Sequence, residues 1–391
     1  MKILLTSDWY TPAVNGVVTS VLNLKRGLEA RGHEVRILTL SGSRRSFEQA
    51  GVIYVGSVKV DAVYPGARLR VTPGKNWISK IAAWSPDIVH SNCEFSTFRM
   101  ARQIAVRLHI PLVHTYHTIY ENYTHYFSPS KIWGRKLAAA LSRRVATKTD
   151  ALIAPTEKVR TLLQGYGIST PVCVLPTGID QEKFMRVAER TDRMRIREQL
   201  HILPGQTVLV FIGRMAKEKN CDELIRMMVH FRGEDICLLL VGDGPCREGL
   251  QRQAKELDMQ QQIVFAGMVQ PDQVNRYYQA GDLFVSASTS ETQGLTYIEA
   301  LSSGLPMLCR KDASLEGIVM EDCNGWQYNS TMDFIQKTRS FLKHPEWHRE
   351  LSQNAQMTGK EYSISAFARQ AEQIYQEQID VYHGVLREGS A

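Results

Sequence analysis

Long hydrophobic runs are missing from this 391-residue chain, since no stretch of 18 or more residues is uniformly apolar. A membrane-spanning helix requires such a stretch, so the sequence does not predict one. The opening apolar segment, residues 1–7, is followed by Asp8 before it reaches the length of a signal-peptide core. We therefore expect a protein of the cytoplasm.

Metal-binding motifs are missing too. The seven cysteines are scattered singly, without the Cys-x-x-Cys spacing of zinc sites, and we interpret them as buried, reduced thiols. The pair His114 and His117 has no cysteine or third close histidine to complete a tetrahedral set. No Asp-x-Asp motif is present to hold a metal ion on a diphosphate. We expect neither a metal ion nor a cofactor.

Positive charge is in excess, and the net charge is +7 at pH 7. A basic protein can bind nucleic acid, an anionic membrane surface or a phosphorylated ligand. The sequence carries no aromatic-rich RNA-binding signature and no zinc-finger spacing, which disfavours nucleic acid. The membrane surface and the phosphorylated ligand remain as candidate partners.

Short β-rich segments alternate with helical ones along the chain, which is typical of parallel sheets covered by helices on both faces. We predict two facing Rossmann-like α/β domains, residues 1–180 and 181–363, with a ligand cleft between them. A helical segment, residues 364–391, is expected to pack back on the first domain. The predicted strands are residues 2–6, 34–40, 52–55, 87–90, 111–114, 151–154, 172–175, 207–212, 236–241, 263–266, 283–286, 306–309 and 325–328.

Ligands of such sheets bind just after the strands, so we look for chemistry there. The strand 207–212 is followed by Gly213, Arg214 and Lys219, and the two cations can neutralise a departing diphosphate. A solvated basic loop is the plainer alternative. The glycine motif at 241–245 is predicted to end a strand and to open a helix with Pro245 in its first turn.

The segment after the strand 283–286 is the densest in candidate ligand-binding groups. Gly294 precedes an apolar helix whose first backbone N–H groups, in residues 294–296, can hold phosphate oxygens. Glu291 precedes this helix and Glu299 lies more than one turn inside it, so the two carboxylates can bind hydroxyls at opposite ends of one nucleotide sugar. Alternatively, Glu291 complements the helix dipole and Glu299 is simply solvated. The segment as a whole favours a binding site.

Two segments of the first predicted domain can also meet a ligand. Asn15 and Gly16 precede a helix predicted to begin near Val17, and a glycine there lets the backbone approach an anion, although a plain turn glycine fits equally. After the strand 111–114, a cluster with three histidines and several tyrosines extends to residue 126 and includes His117 and Tyr120. Such a cluster can bind hydroxyls and move protons, although any one histidine of it is more often structural.

A basic helix is predicted over residues 131–148. It combines the apolar Ile132, Trp133, Leu137 and Leu141 with the cations Lys136, Arg143 and Arg144. Such a helix can lie in a membrane interface, or it can pack on the sheet through those apolar residues. A second basic and aromatic stretch in the same domain favours a membrane face, and it consists of Arg68, Arg70, Lys75, Trp77 and Lys80.

Three motifs follow one another in order: Gly213-x4-Glu218-Lys219, the glycine motif at 241–245, and Glu291-x7-Glu299. Together they resemble the retaining GT-B glycosyltransferases, which use nucleotide diphosphate sugars, over nearly the whole chain. The resemblance implies a donor site mostly in the second domain and an acceptor site in the first. It also implies front-face attack, in which the leaving phosphate helps to remove the acceptor proton.

The same resemblance implies roles for individual residues. Arg214 and Lys219, beside Gly213, would neutralise the diphosphate, while Glu291 would hold the transferred sugar and Glu299 the ribose. His117 would lie near the reacting sugar and is grouped with Glu291, Arg214 and Lys219 as catalytic. The other implied donor contacts are Gly16 for the phosphate, Met268 and Val269 for the base, and Gln293, Gly294 and Leu295 for the sugar.

Further motifs resemble bacterial diacylglycerol glucosyltransferases, namely Asp8-x-Tyr10-x-Pro12-x-x-Asn15-Gly16-Val17, Glu94-Phe95-Ser96 and the segment 114–123. This likeness implies UDP-glucose as donor, a membrane lipid as acceptor and a location at the inner face of the cell membrane. The acceptor or membrane surface would include Tyr120, Trp133, Lys136, Arg143 and Arg144. The alternatives are the same chemistry on a soluble sugar, another lipid or a polysaccharide, a sugar-nucleotide epimerase, and a catalytically silent binding module.

Overall fold

A computed structural model describes residues 1–60, 67–71, 75–121, 131–185 and 190–388. The strands are β1 (Lys2–Ser7), β2 (Glu34–Leu40), β3 (Phe47–Gln49), β4 (Val52–Val55), β5 (Ser57–Lys59), β6 (Arg68–Arg70), β7 (Ile88–Ser91), β8 (Leu112–Thr115), β9 (Ala151–Ala154), β10 (Val172–Val174), β11 (Thr207–Ile212), β12 (Ile236–Val241), β13 (Ile263–Gly267), β14 (Leu283–Ser286), β15 (Met307–Arg310) and β16 (Gly325–Tyr328). The helices are α1 (Gly16–Ala30), α2 (Lys75–Trp84), α3 (Ser96–Leu108), α4 (Lys131–Ala146), α5 (Glu157–Gly165), α6 (Gln181–Met185), α7 (Arg190–Gln199), α8 (Cys221–Met228), α9 (Arg247–Glu256), α10 (Val274–Ala280), α11 (Leu295–Ser302), α12 (Thr331–Lys343), α13 (His348–Lys360) and α14 (Ile364–Glu388).

The chain forms two compact units. The first contains Met1–Gly178 together with the C-terminal segment from Ile364, and the second is Ile179–Ser363. Every predicted strand is present, with its ends within one residue of the prediction. The strands β3, β5 and β6 were not predicted, because each has only three residues and no apolar alternation long enough to recognise.

The first unit has an eight-stranded sheet in the order β10-β9-β8-β7-β1-β2-β4-β3, in which only β3 runs antiparallel to its neighbour. The direction of strand addition changes between β1 and β7, so the carboxyl ends of these two strands form the switch point of this sheet. The C-terminal helix α14 covers this sheet by packing on α1. A Cβ added to Gly27 would lie 2.6 Å from Cβ of Ala368, which shows how closely the two helices approach.

The second unit has a fully parallel six-stranded sheet in the order β13-β12-β11-β14-β15-β16. This is the order 3-2-1-4-5-6 of dinucleotide-binding sheets. The strand β11 sends Val208, Val210 and Ile212 into one core and Leu209 and Phe211 into the other. Both faces of the sheet are therefore covered, and the switch point lies between β11 and β14.

Candidate active site

The loops that follow β11 and β14 lie side by side at this switch point. The side-chain amide of Asn220 donates to the carbonyl of Ala287 at 3.0 Å, and the hydroxyl of Ser290 donates to the carbonyl of Glu218 at 3.2 Å. Parallel strands that are neighbours in the sheet end at the same edge, which is why segments far apart in sequence meet here. The structure thus joins the two loops in which the sequence predicted donor-binding residues.

Lys219 and Glu291 form an ion pair across this junction, although they are 72 positions apart. Both side chains are largely buried, and the ion pair holds the Lys219 ammonium next to the Glu291 carboxylate. An ammonium can bind a phosphate oxygen, while an ionised carboxylate accepts hydrogen bonds from hydroxyls. The arrangement therefore suits a ligand in which a phosphate is bonded directly to a sugar.

Arg214 forms an ion pair with Glu218, whose carboxylate is buried. The Arg214 side chain remains 42% exposed. The buried carboxylate fixes the guanidinium in place, and the exposed side of the guanidinium can still bind an anion. Arg214 and Lys219 thus lie on the same short loop as two oriented cations.

The glycine motif at 241–245 packs directly against the backbone of this loop. A Cβ on Gly242, whose φ is 127°, would lie 2.1 Å from the carbonyl oxygen of Gly213. Only glycine permits so close a backbone approach, so the motif has a packing role. The prediction for Pro245 was wrong, because α9 begins at Arg247 and Cys246 instead donates its N–H to the carbonyl of Met215 at 2.9 Å.

Gly294 forms the N-cap of α11 in the left-handed conformation, with φ of 75°. It has no side chain to accept hydrogen bonds from the first turn, and its carbonyl accepts a hydrogen bond from the N–H of Tyr297 at 2.9 Å. A Cβ at this position would lie 2.6 Å from the ring of Tyr297. Both the conformation and the space therefore require glycine.

Gly294→Ala is expected to lower the free energy of unfolding by about 2–4 kcal/mol, because it adds a steric clash to left-handed strain. Gly317→Ala is the matched control, since Gly317 has the same φ of 75° but nothing within 4 Å of an added Cβ. The control should cost only about 1–2 kcal/mol. Urea unfolding of both variants measures the difference, and equal losses would show that the Tyr297 contact is unimportant.

Glu299 is partly buried in α11, and its Oε2 accepts a hydrogen bond from the hydroxyl of Tyr278 at 2.7 Å. Burial raises the pKa of Glu299 to about 7, even though the Tyr278 hydrogen bond and nearby Lys183 lower it. The alternative of a simply solvated Glu299 was therefore wrong. The other predicted donor contacts vary in exposure, with Met268 exposed, Val269 and Leu295 half-buried and Gln293 buried.

In the first unit, the loop after β1 is tied to the start of α3. The two carboxylate oxygens of Asp8 accept hydrogen bonds from the backbone N–H groups of Ser96 at 3.2 Å and Thr97 at 2.7 Å. Burial raises the pKa of Asp8 to about 6 despite these bonds. The N-terminus of α3 is therefore already occupied by a carboxylate of the chain itself.

The helix α1 begins at Gly16, one residue earlier than predicted. Asn15 is its N-cap, and the Asn15 side chain accepts a hydrogen bond from the N–H of Val18 at 3.0 Å. Asparagine is among the preferred N-cap residues for this reason. The phosphate contact of Gly16 remains a prediction.

His117 and Tyr120 follow β8 and meet polar side chains that follow β7. His117 Nε2 lies 2.9 Å from Oδ1 of Asn92, and the Tyr120 hydroxyl donates to Glu94 at 2.5 Å. Burial lowers the pKa of His117 to about 4, although Glu94 raises it. His117 is therefore a neutral ring near pH 7. Residues 122–126 of the predicted cluster, including His125, lie outside the described residues.

The basic helix α4 buries small residues and exposes large ones. Ala138, Ala139, Ser142, Val145 and Ala146 face the core. The exposed fractions are 71% for Ile132, 70% for Trp133 and 57% for Leu137. The alternative of packing through the apolar residues was therefore wrong for Ile132, Trp133 and Leu137, whereas Leu141 is half-buried. The buried small residues let α4 lie close to the rest of the unit. None of the helices in the described ranges is long and apolar enough to cross a membrane.

Two arginines of the second basic stretch contact other residues of the first unit. Arg68 donates to the Ser57 hydroxyl at 2.7 Å and to the Gly42 carbonyl at 2.6 Å, so its guanidinium joins the antiparallel pair of β5 and β6 to the segment after β2. Arg70 has a buried guanidinium nitrogen. Lys80 is paired with Glu48. Arg68 and Arg70 thus make contacts within the first unit, whereas Lys80 is exposed, so a membrane contact of this stretch stays a prediction. The side chain of Lys75 lies outside the described residues.

Comparison with known proteins identifies the chain's family. Residues 14–183 match the family model Glycosyltransferase Family 4, and residues 192–358 match Glycosyl transferases group 1. The alpha-monoglucosyldiacylglycerol synthase of Acholeplasma laidlawii is 32% identical over 392 residues, which cover 97% of this chain and 98% of that protein. The chain belongs to the GT-B glycosyltransferases. The corresponding synthase of Streptococcus pneumoniae is 34% identical to this glycosyltransferase, over 85% of this chain and 76% of that protein.

Solved structures agree on the fold of this glycosyltransferase. The crystal structure of HepE from Anabaena, in complex with UDP and glucose, matches with a TM-score of 0.75 at 17% identity. The match covers 96% of this chain and 99% of HepE. The predicted two-domain GT-B fold and the resemblance to diacylglycerol glucosyltransferases are both confirmed.

Three polar residues of this glycosyltransferase contact predicted site residues but were not themselves predicted. Asn92 contacts His117, Tyr278 contacts Glu299, and Glu218 holds Arg214. Glu218 was visible as part of a motif, whereas Asn92 and Tyr278 gave no signal beyond lying after a strand or within a helix. Among the residues that the structure describes, no group of three His, Cys, Asp or Glu side chains could hold a metal ion.

Proposed function

We propose that this glycosyltransferase moves glucose from UDP-glucose to a hydroxyl of a membrane lipid such as 1,2-diacylglycerol, with retention of anomeric configuration. The observation that carries the proposal is the Lys219–Glu291 pair between the two loops at the switch point. The names of the two related synthases support the lipid acceptor, and the UDP and glucose in HepE support the donor.

The donor is proposed to bind at the carboxyl edge of the second sheet. Arg214 and Lys219 bind the diphosphate, and the first N–H groups of α11 add further donors to its oxygens. Glu291 accepts from hydroxyls of the glucose, and Glu299 accepts from the ribose hydroxyls. The roles of Gly16 and His117 towards the donor stay predictions.

The proposed reaction breaks the bond between the anomeric carbon and the β-phosphate oxygen, and the electron pair leaves with UDP. The acceptor oxygen forms a bond to the anomeric carbon on the same face, and its proton passes to the leaving phosphate. Negative charge therefore increases on UDP in the transition state. Arg214 and Lys219 are oriented before the reaction, so they stabilise that charge without reorganisation.

The exposed face of α4 is proposed to rest on an anionic membrane surface, on the cytoplasmic side. Trp133 and Leu137 supply apolar contacts, and the ammonium of Lys136 lies 5.3 Å from the centre of the Trp133 ring. Desolvation and the neighbouring cations Arg144, Arg102 and Arg99 lower the pKa of Lys148, so α3 extends the same basic surface. Anionic headgroups would relieve this repulsion between like charges.

Replacing Lys136 and Arg144 by glutamine is expected to weaken binding to vesicles containing phosphatidylglycerol by ~30-fold, since each cation near the surface contributes about 1 kcal/mol. Arg143 is left intact because it donates to the Tyr166 carbonyl at 3.0 Å and helps packing. The control replaces Arg252 and Lys255, two exposed cations of α9 in the second unit. Vesicle sedimentation measures both variants, and equal weakening would exclude a specific role for α4.

The proposed function is tested by measuring nucleotide release from a panel of UDP- and GDP-sugars, with and without vesicles that contain diacylglycerol. Release from UDP-glucose that depends on diacylglycerol, with a glucosylated lipid as product, is the expected result. Transfer to a free sugar would identify a soluble acceptor instead. UDP binding without release from any donor would identify a silent binding module.

A further inference from the structure

Asn92 is held in one orientation at the end of β7. Its backbone N–H donates to the carbonyl of Thr6 at 2.8 Å, which fixes the main chain. Its side-chain amide nitrogen lies 3.5 Å from the carbonyl of His90. Since the amide nitrogen faces a carbonyl oxygen, the amide oxygen is the atom that faces His117. The nitrogen of His117 that meets this oxygen, Nε2, must then carry a hydrogen.

The other ring nitrogen of His117 is available to a ligand. Within the described part of the chain, Nδ1 has no hydrogen-bond partner, and the side chain is half-buried rather than enclosed. The titratable groups that face the ring are Glu94 after β7, His114 on β8 and His90 on β7. Burial outweighs the effect of Glu94 and lowers the pKa of His117 to about 4. A neutral ring with its hydrogen on Nε2 has a lone pair on Nδ1.

We propose that Asn92 is a positioning residue that fixes His117 in the neutral Nε2–H tautomer, so that Nδ1 accepts a hydrogen bond from a substrate hydroxyl. This inference rests on the proposed function, because both the sugar donor and the alcohol acceptor are rich in hydroxyl donors. It gives His117 a binding role in which the ring neither takes up nor releases a proton. Protonation of Nδ1 would abolish that role, since the imidazolium can only donate.

The substitution Asn92→Asp tests the inference through its pH dependence. A carboxylate beside Nε2 favours the imidazolium, so the pKa of His117 should rise by about 1–3. Relative to the wild type at each pH, the variant should then lose progressively more kcat/KM as the pH falls from 8 to 5, because titration of Glu299 affects both proteins alike. Asn92→Ala should lower kcat/KM by a similar factor at every pH, because it adds no charge. Parallel profiles for the two variants would overturn the inference.

The tautomer itself is measured without any substrate, by nitrogen NMR of the wild-type protein labelled at histidine. His117→Gln identifies the signals of this ring. A hydrogen on Nε2 and none on Nδ1 is the expected result, and the opposite tautomer would overturn the inference whatever the enzyme's substrates are. The expected tautomer in a protein that releases nucleotide from no sugar donor would support the tautomer assignment and overturn the proposed function.

Discussion

Arg214→Ala is expected to lower kcat for transfer from UDP-glucose by about 100- to 1000-fold, the usual effect of removing one oriented group that stabilises transition-state charge. Charge on the diphosphate grows as the anomeric bond breaks, so the loss should be larger in kcat than in UDP-glucose affinity. Steady-state kinetics and calorimetric binding of UDP-glucose separate the two effects. Turnover within a few-fold of the wild-type value would contradict the site assignment.

Two further variants distinguish catalysis from folding. Arg226→Ala is the matched control, because Arg226 is 58% exposed in the same unit and pairs with Asp222 in the same i,i+4 spacing as Arg214 with Glu218. It should leave kcat unchanged. In Arg214→Ala, the buried Glu218 loses its partner, which lowers stability. Adding Glu218→Gln should recover the thermal stability without recovering turnover.

The sheets were predictable because a parallel sheet covered on both faces leaves continuous apolar runs in the sequence. All six residues of β12, Ile236–Val241, are buried, and this run was recognised with its exact bounds. The face of α4 was harder to predict, because it contains both large apolar residues and alanines. Helical spacing shows that such a helix has an apolar side, but not that alanines such as Ala138 are buried while Trp133 is exposed.

The candidate site was predictable as a set of positions but not as a set of contacts. Gly294, Glu291 and Lys219 were recognised because each follows a strand, where the ligands of parallel sheets bind. The pairing of Lys219 with Glu291 depends on β11 and β14 being neighbours in the sheet, which no local pattern shows. Tyr278 was missed for the same reason, since only tertiary structure brings it to Glu299.

The affinity for UDP-glucose is expected to rise about tenfold between pH 6 and pH 8, in the absence of acceptor. Burial raises the pKa of Glu299 to about 7, so the ionised fraction grows from about one-tenth to about nine-tenths over this interval. The ionised carboxylate accepts from both ribose hydroxyls, whereas the protonated form offers fewer acceptor sites. Ligand binding thus favours the ionised form, and affinity is lost as the pH falls through 7.

Glu299→Gln should remove this pH dependence and weaken binding at pH 8 by about 10- to 100-fold, since hydrogen bonds to a charged group contribute about 1.5–3 kcal/mol. Tyr278→Phe removes the hydrogen bond that lowers the pKa of Glu299, so the midpoint of the affinity curve should move to higher pH. Tyr277→Phe, on the same helix α10, is the control and should leave the midpoint in place. Calorimetric titration with UDP-glucose measures each curve. If Glu299→Gln kept the wild-type pH dependence, another group would be titrating and Glu299 would not bind the ribose.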